Sequence, residues 1–469
     1  MKKILLMLGC MMSLVATELR WDWENIDTND IVFPKSFLFG VAASDFQNSG
    51  NENFPYNNWR LWETAKAGRE KSGTSCDFWH RYEDDIKLAR DLGVNTFRLS
   101  IEWSVIEPHE GEFSQDALDH YRDVCQKMID AGMTPMITFH HFTDPIWFTA
   151  RGGFEKASNI KYLVRYCEVV FKELNDLVPY WCTINEPGVY AFMGYIMGEW
   201  PPEKRGITNM HEVGIVLRNL LEAHIAIFKK IKSLPGGDVA QVGFAHSVTQ
   251  FEAYHDWNPL EKLVASYINH IFYKAALDFF VTGEFTFSVL PLPVQPVRHR
   301  NPTAKQALDF IGINYYSHVL VKIPTGASVT DESKMSSSKQ FSAERPGDIR
   351  TDMPYTLYAE GLYRAIQEVA ACGVPIMITE NGCPDARDDR RELWSKRYLY
   401  ALSKAIKDGY DVRGYYYWSL LDNLEWAERY TMKFGLYEVN FETKERRLRD
   451  GANYYASVAQ HHIGYESRS

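Results

Sequence analysis

Two short strings, Thr183-Ile184-Asn185-Glu186-Pro187 and Ile378-Thr379-Glu380-Asn381-Gly382, each carry an apolar, strand-like run onto a glutamate. A pair of carboxyl groups brought together from distant sequence positions is the minimum equipment for breaking a glycosidic bond by acid/base and nucleophilic chemistry. Taken singly, neither string proves much, because a Glu before Pro or before Asn-Gly also makes an ordinary turn. The pair gains meaning only if the fold delivers both to one cleft.

The elements that must do this are legible as period and composition. Short apolar runs rich in β-formers predict eight strands, over Phe37–Ser44, Thr96–Trp103, Thr134–His140, Tyr180–Asn185, Val239–Val248, Phe310–Ser317, Pro375–Thr379 and Gly414–Leu420. Between them, apolar residues recurring at three and four predict helices over Phe78–Leu92, Gln115–Ala131, Ile160–Leu174, Val213–Lys232, Leu260–Phe280, Ala359–Ala371 and Arg391–Lys407. Strand and helix alternate throughout, so the expected fold is α/β, a single (β/α)8 TIM barrel with elaborated βα loops at the C-terminal mouth. Glu186 and Glu380 then fall just beyond the ends of strands four and seven and face the same mouth. The polar stretch from Pro324 to Asp348 follows strand six directly and is expected as an insertion there.

Composition bounds the partners. With 469 residues, 45% hydrophobic and 24% charged, the chain can bury a large core and lacks the low-apolar signature of disorder. A net charge of -10 with no Lys/Arg-rich stripe argues against nucleic acid. Most of the 13 Trp and 27 Tyr belong in the core, while a few could serve as flat platforms with polar tips that suit sugar rings.

The start, Met1-Lys2-Lys3 followed by the apolar run Ile4 to Ala16, has the pattern of a secretory signal peptide over residues 1–17, leaving 18–469 as one barrel domain. That pattern predicts a secreted or periplasmic protein; the alternative is an N-terminal extension on a cytoplasmic one. No other stretch approaches the apolar length of a membrane span, so no transmembrane segment is expected. Seven cysteines at positions 10, 76, 125, 167, 182, 372 and 383 form neither a short-spaced disulfide framework nor a paired zinc motif, and most are expected as buried thiols.

Together the two strings resemble the acid/base and nucleophile motifs of glycoside hydrolase family 1, the β-glucosidase family. The likeness runs from about Phe33 to Tyr455, with motifs from every strand. The resemblance implies that Glu186 protonates the leaving oxygen and Glu380 attacks the anomeric carbon. It further implies that Arg98, in Phe97-Arg98-Leu99-Ser100, holds the nucleophile ionised, with Asn314 and Tyr316 of Gly312-Ile313-Asn314-Tyr315-Tyr316 close by and Tyr316 donating to Glu380. Tyr315 should turn into packing, because strand neighbours point to opposite faces. Asn185 would bond the 2-hydroxyl. Gln47, His141, Trp418, Glu425 and Trp426 match the family's sugar-binding positions, with Trp418 as a stacking floor and Glu425 and Trp426 contacting hydroxyls remote from the reacting carbon.

The implied activity is hydrolysis of a small-molecule β-glycoside or oligosaccharide at a terminal β-D-glucosyl, galactosyl or fucosyl residue, with no metal and no organic cofactor. The chain departs from the family pattern at Phe142 (often Trp), Ser49 (Glu in the Gln-x-Glu-Gly string), Val105 (Arg) and Arg429 (Gly). A 6-phospho-β-glycosidase is the nearest alternative. The segment after Trp426 lacks the Ser and Lys pattern that would grip a phosphate, and Glu425 would repel one. A catalytically inactive sugar-binding barrel is the other, and the presence of both carboxylates with Arg98, Asn185 and Tyr316 speaks against it.

Overall fold

Eight parallel strands close on themselves in strict sequence order: β1 Leu38–Ala43, β2 Thr96–Ser100, β3 Thr134–His140, β4 Tyr180–Asn185, β5 Gln241–Ser247, β6 Ile311–Asn314, β7 Ile376–Asn381 and β8 Val412–Trp418. This computed structural model describes residues 19–289, 294–323 and 343–463. The signal-peptide reading and most of the expected insertion after strand six, residues 324–342, lie outside the described residues. Because every strand is buried on both faces, the runs read as continuous apolar segments rather than alternating ones. The inner face packs Ala42, Met136, Phe310, Met377 and Tyr416 into a plug below the mouth. The outer face meets a ring of helices, among them Phe78–Asp91, Gln115–Asp130, Ile160–Leu174, Met210–Lys232 and Arg391–Lys407.

Two boundaries differ from expectation in ways that matter for chemistry. The seventh strand runs on to Asn381, so Glu380 lies inside its last two residues rather than beyond its end. The strand is held that far by Asn381, whose Nδ2 donates to the Tyr315 carbonyl at 2.6 Å and whose Oδ1 accepts from Tyr415 and Trp394. Gly382 follows because a Cβ there would overlap the Trp418 carbonyl. The second strand ends at Ser100, and Trp103 begins a short helix, Trp103–Ile106, capped by the Glu102 carboxylate.

Several loop elements were not expected. Helices Asp45–Asn53 and Pro187–Tyr195 follow β1 and β4, and Gln250–Ala253 pairs in parallel with His318–Val321 above the mouth. The predicted helix over Leu260–Phe280 is two helices, Pro259–Asn269 and Ala275–Thr282, joined through a π turn at His270–Lys274. Among the described residues all six cysteines carry free thiols, five of them buried and Cys372 half-buried. No described helix is long and apolar enough to cross a membrane.

Candidate active site

The strand ends converge on a cavity of about 230 Å³ at the mouth, and Glu186 and Glu380 both line it. Glu186 sits immediately after β4 in the left-handed region (φ 43°, ψ 63°), and Pro187 opens the following helix. A non-glycine residue in that region stores strain of the kind concentrated at functional sites. Both glutamates are buried, at 8% and 4% exposure, so their charge states are set by neighbours rather than water.

Those neighbours treat the two carboxyls differently. Arg98, 1% exposed on β2, donates to Glu380 Oε1 at 2.6 Å, to Asn185 Oδ1 at 2.7 Å, to Thr138 Oγ1 at 3.1 Å and to the Thr379 carbonyl at 3.1 Å. Tyr316 donates to the other oxygen of Glu380 at 2.8 Å, and the Tyr355 ring stacks on the Tyr316 ring at 5.7 Å. Among the described residues the Glu186 carboxyl has only the neutral amide of Asn314, at 3.0 Å. Thr379 fixes that amide by donating to Asn314 Oδ1 at 2.7 Å.

The electrostatic outcome is a split pair. Burial, and then the Glu380 charge, push Glu186 up to about 8. Burial also raises Glu380, but the Arg98 guanidinium and the Tyr316 phenol oppose it, so Glu380 is the member that ionises first and Glu186 keeps the proton. Such a separation is what acid and base chemistry from two identical side chains requires.

Above this pair lies a second group of residues. The Asn185 oxygen already accepts from Arg98 and from Asn314, so its Nδ2 donates to His141 Nε2 at 3.2 Å. Burial, then Arg98, hold His141 well below the usual imidazole range, so it is neutral with its hydrogen on Nδ1, a buried donor without a partner among the described residues. Gln47, fully buried, donates from Nε2 to the Leu424 carbonyl at 2.8 Å, and its Oε1 is also unpartnered. Glu425 adds an unpartnered Oε2 and is pushed up to about 8 by burial and then by Glu380 and Glu428. The His141 ring lies nearly parallel to those of Trp418 and Trp426, at 20° and 17°. Trp426 packs in turn on Phe46, Trp59, Trp200 and Phe142, so it belongs to both the core and the wall.

His141, Asn185, Glu186, Tyr316, Glu380, Trp418, Glu425 and Trp426 line the cavity, Arg98 and Asn314 bond the two glutamates from behind it, Gln47 bonds the backbone next to Glu425, and Tyr315 is turned away into packing at 1% exposure as expected. Thr138, Thr379 and Tyr355 were missed. Thr379 was visible beside Glu380 in the motif; Thr138 and Tyr355 gave no local signal. Arg429 accounts for its own unusual identity: it sits at φ 56°, ψ −129°, a conformation that favours glycine, and is held by a buried ion pair with Glu63. Among the described residues no group of three or more His, Cys, Asp or Glu is arranged to hold a metal ion.

A barrel whose mouth joins a split carboxylate pair to an aromatic wall and unpartnered buried polar atoms defines a glycoside hydrolase. The family description "Glycosyl hydrolase family 1" matches residues 29–463, and the chain belongs to that family. It is 31% identical over 453 residues to β-glucosidase A of Acetivibrio thermocellus, covering 91% of this chain and 98% of the relative. It is 30% identical over 457 residues to β-glucosidase A of Thermotoga maritima, covering 91% and 98%. Among solved structures, a β-glycosidase from Pyrococcus horikoshii superposes with a TM-score of 0.80 at 34% identity, over 92% of this chain and 96% of that one. The Thermotoga maritima β-glucosidase in complex with deoxynojirimycin gives 0.79 at 27% identity, over 93% and 100%.

Proposed function

We propose that the protein is a retaining β-glycosidase that removes terminal non-reducing β-D-glucosyl residues, with galactosyl or fucosyl residues as the other sugars the pocket would take. The observation that carries this reading is the unequal bracing of the two carboxyls: Glu380 is gripped on both oxygens by Arg98 and Tyr316, whereas Glu186 meets one neutral amide. Glu380 attacks the anomeric carbon as the Glu186 proton passes to the leaving oxygen, and the aglycone departs as its alcohol. Water then gives a proton back to Glu186 and its oxygen to the anomeric carbon, releasing Glu380 and the sugar with retained configuration. Asn185 bonds the 2-hydroxyl. Gln47, His141 and Glu425 offer their unpartnered atoms to the remaining hydroxyls, and Trp418 and Trp426 support the apolar face of the ring.

The relatives, β-glucosidases and a β-glycosidase by name, favour the same linkage. The test is mass spectrometry after exposure to a 2-fluoro-2-deoxy-glucosyl fluoride. The wild type should gain one glycosyl mass on the peptide containing Glu380, and Glu380→Gln should gain none. An adduct on another residue, or none in an active wild type, would overturn the assignment. A panel of nitrophenyl β-D-glucoside, galactoside, fucoside and 6-phosphoglucoside fixes the sugar, the last being the poorest substrate because among the described residues the cavity lining carries five glutamates and no lysine or arginine to take a phosphate. Export with removal of residues 1–17 is proposed with it, and N-terminal sequencing of the mature protein tests that.

A further inference from the structure

Behind the sugar-facing residues runs a buried chain of hydrogen bonds that the bond-breaking chemistry does not use. Asp45, 1% exposed, opens the helix that carries Gln47, and its backbone N–H donates to Ser100 Oγ at the end of β2. Its carboxylate accepts from Ser49 Oγ at 2.6 Å and from Tyr121 OH at 2.6 Å. Ser49 Oγ accepts from the Trp79 N–H, and Tyr121 OH accepts from the Glu102 N–H. The Glu102 carboxylate takes Thr143 Oγ1 at 2.6 Å, two residues beyond His141. One continuous chain thus joins the loops after β1, β2 and β3, the first of which carries Gln47 and the third His141, a lining residue of the cavity.

The chain holds two buried carboxylates, and no lysine or arginine bonds either among the described residues. Burying a charge without a counter-charge is costly, and a fold keeps such a group where its geometry is needed. Position 49 sharpens this. By the resemblance to the string Gln-x-Glu-Gly a carboxylate is expected at 49; this chain has Ser49 there, and a carboxylate stands four residues earlier, one helical turn away, with the Ser49 hydroxyl bonded to it. Gln47 lies between the two positions.

We propose that Asp45 is a positioning residue that fixes Gln47 for the sugar hydroxyls, standing in from one turn earlier for the carboxylate that position 49 lacks. This rests on the reading of Gln47 as a sugar ligand. Burial pushes Asp45 up to about 7, with Glu102 adding to the rise and Ser49 and Tyr121 opposing it. The titratable groups facing the chain are Glu102, Tyr121 and, beyond Glu102, His140. Above that pH Asp45 is an acceptor for both hydroxyls; below it the added proton makes one of those donors turn away, and sugar affinity falls.

The experiment measures glucose as a competitive inhibitor of aryl β-glucoside hydrolysis, together with kcat and KM. Asp45→Ala should raise KM and the glucose inhibition constant about ten-fold, with kcat changed less than about three-fold. Asp45→Ala combined with Ser49→Glu should recover most of that loss. In the wild type the inhibition constant should rise as pH falls through 7, and in Asp45→Asn, which also serves if the alanine variant does not fold, that step should be absent while the change near 8 from Glu186 and Glu425 remains. Equal losses in kcat and KM, an unchanged inhibition constant, or a step through pH 7 that survives in Asp45→Asn would overturn the proposal. Gln47→Ala separates the two claims: if it leaves glucose inhibition unchanged, the sugar-ligand reading fails whatever Asp45 does.

Discussion

The floor and the wall of this site are built on different principles. On the floor, Arg98, Asn185, Asn314, Thr379 and Tyr316 hold one another and the glutamates from strand ends, and the polar atoms of Arg98 and Asn185 are engaged. On the wall, Gln47, His141 and Glu425 come from segments that follow the strands, and each keeps one polar atom unpartnered. A densely bonded network on rigid strands, with one Asn185 amide hydrogen left for the sugar, fixes the atoms that must not move during bond cleavage. An unsaturated one leaves donors and acceptors for a ligand rich in hydroxyls, so the floor decides how the bond breaks and the wall decides which sugar enters.

That division can be broken from the floor first. Glu380→Gln should lower kcat by roughly 10⁵-fold, the scale of removing a nucleophile, with KM little raised. Glu186→Gln should cost about 10²- to 10⁴-fold, less on an activated aryl glycoside whose leaving group needs no proton. Because Glu186 acts protonated and sits at about 8, wild-type kcat/KM should fall as pH rises through that region, and the substitution should remove this basic limb. Protonation of Glu380 gives the acid limb. Arg98→Lys should follow, at about 10²-fold in kcat, since an ammonium cannot span Glu380, Asn185 and Thr138 at once.

The wall should respond in the other parameter. Trp426→Ala and His141→Ala should raise KM about ten-fold and shift the glucoside-to-galactoside ratio, read from the nitrophenyl panel. If they lower kcat as far as Arg98→Lys does, the division is wrong. The smallest effect should come from Arg429→Gly paired with Glu63→Gln, which relieves the backbone at 429 while leaving no buried charge alone. It should hold the melting temperature within a few degrees, whereas Arg429→Ala, leaving Glu63 unpaired, should destabilise by about 3 kcal/mol.

How far the sequence carries follows the same line. Eight apolar runs were enough to close the barrel and to place both glutamates at one mouth, because a parallel strand buried on both faces advertises itself. Helix Asp45–Asn53 was not legible: Asp-Phe-Gln-Asn-Ser-Gly-Asn-Glu-Asn has no apolar stripe and breaks at Gly50, with φ 70°. It forms through contacts to Ser100, Tyr121 and Trp79, all distant in the chain. The extension of β7 through Glu380 likewise depends on Asn381 reaching Tyr315, Tyr415 and Trp394. Motifs located the wall residues, and only geometry revealed which of their atoms are left open.

The free thiols turn the barrel into its own strain gauge. Cys182 lies within β4, four residues before Glu186 and its left-handed turn, and burial pushes the thiols of Cys76 and Cys125 up to about 12. In the closed fold a maleimide should find Cys372 first among the described thiols. Each of the other five can be alkylated only when its surrounding layer parts, so the order in which they are labelled should record which sector of the ring opens before the rest.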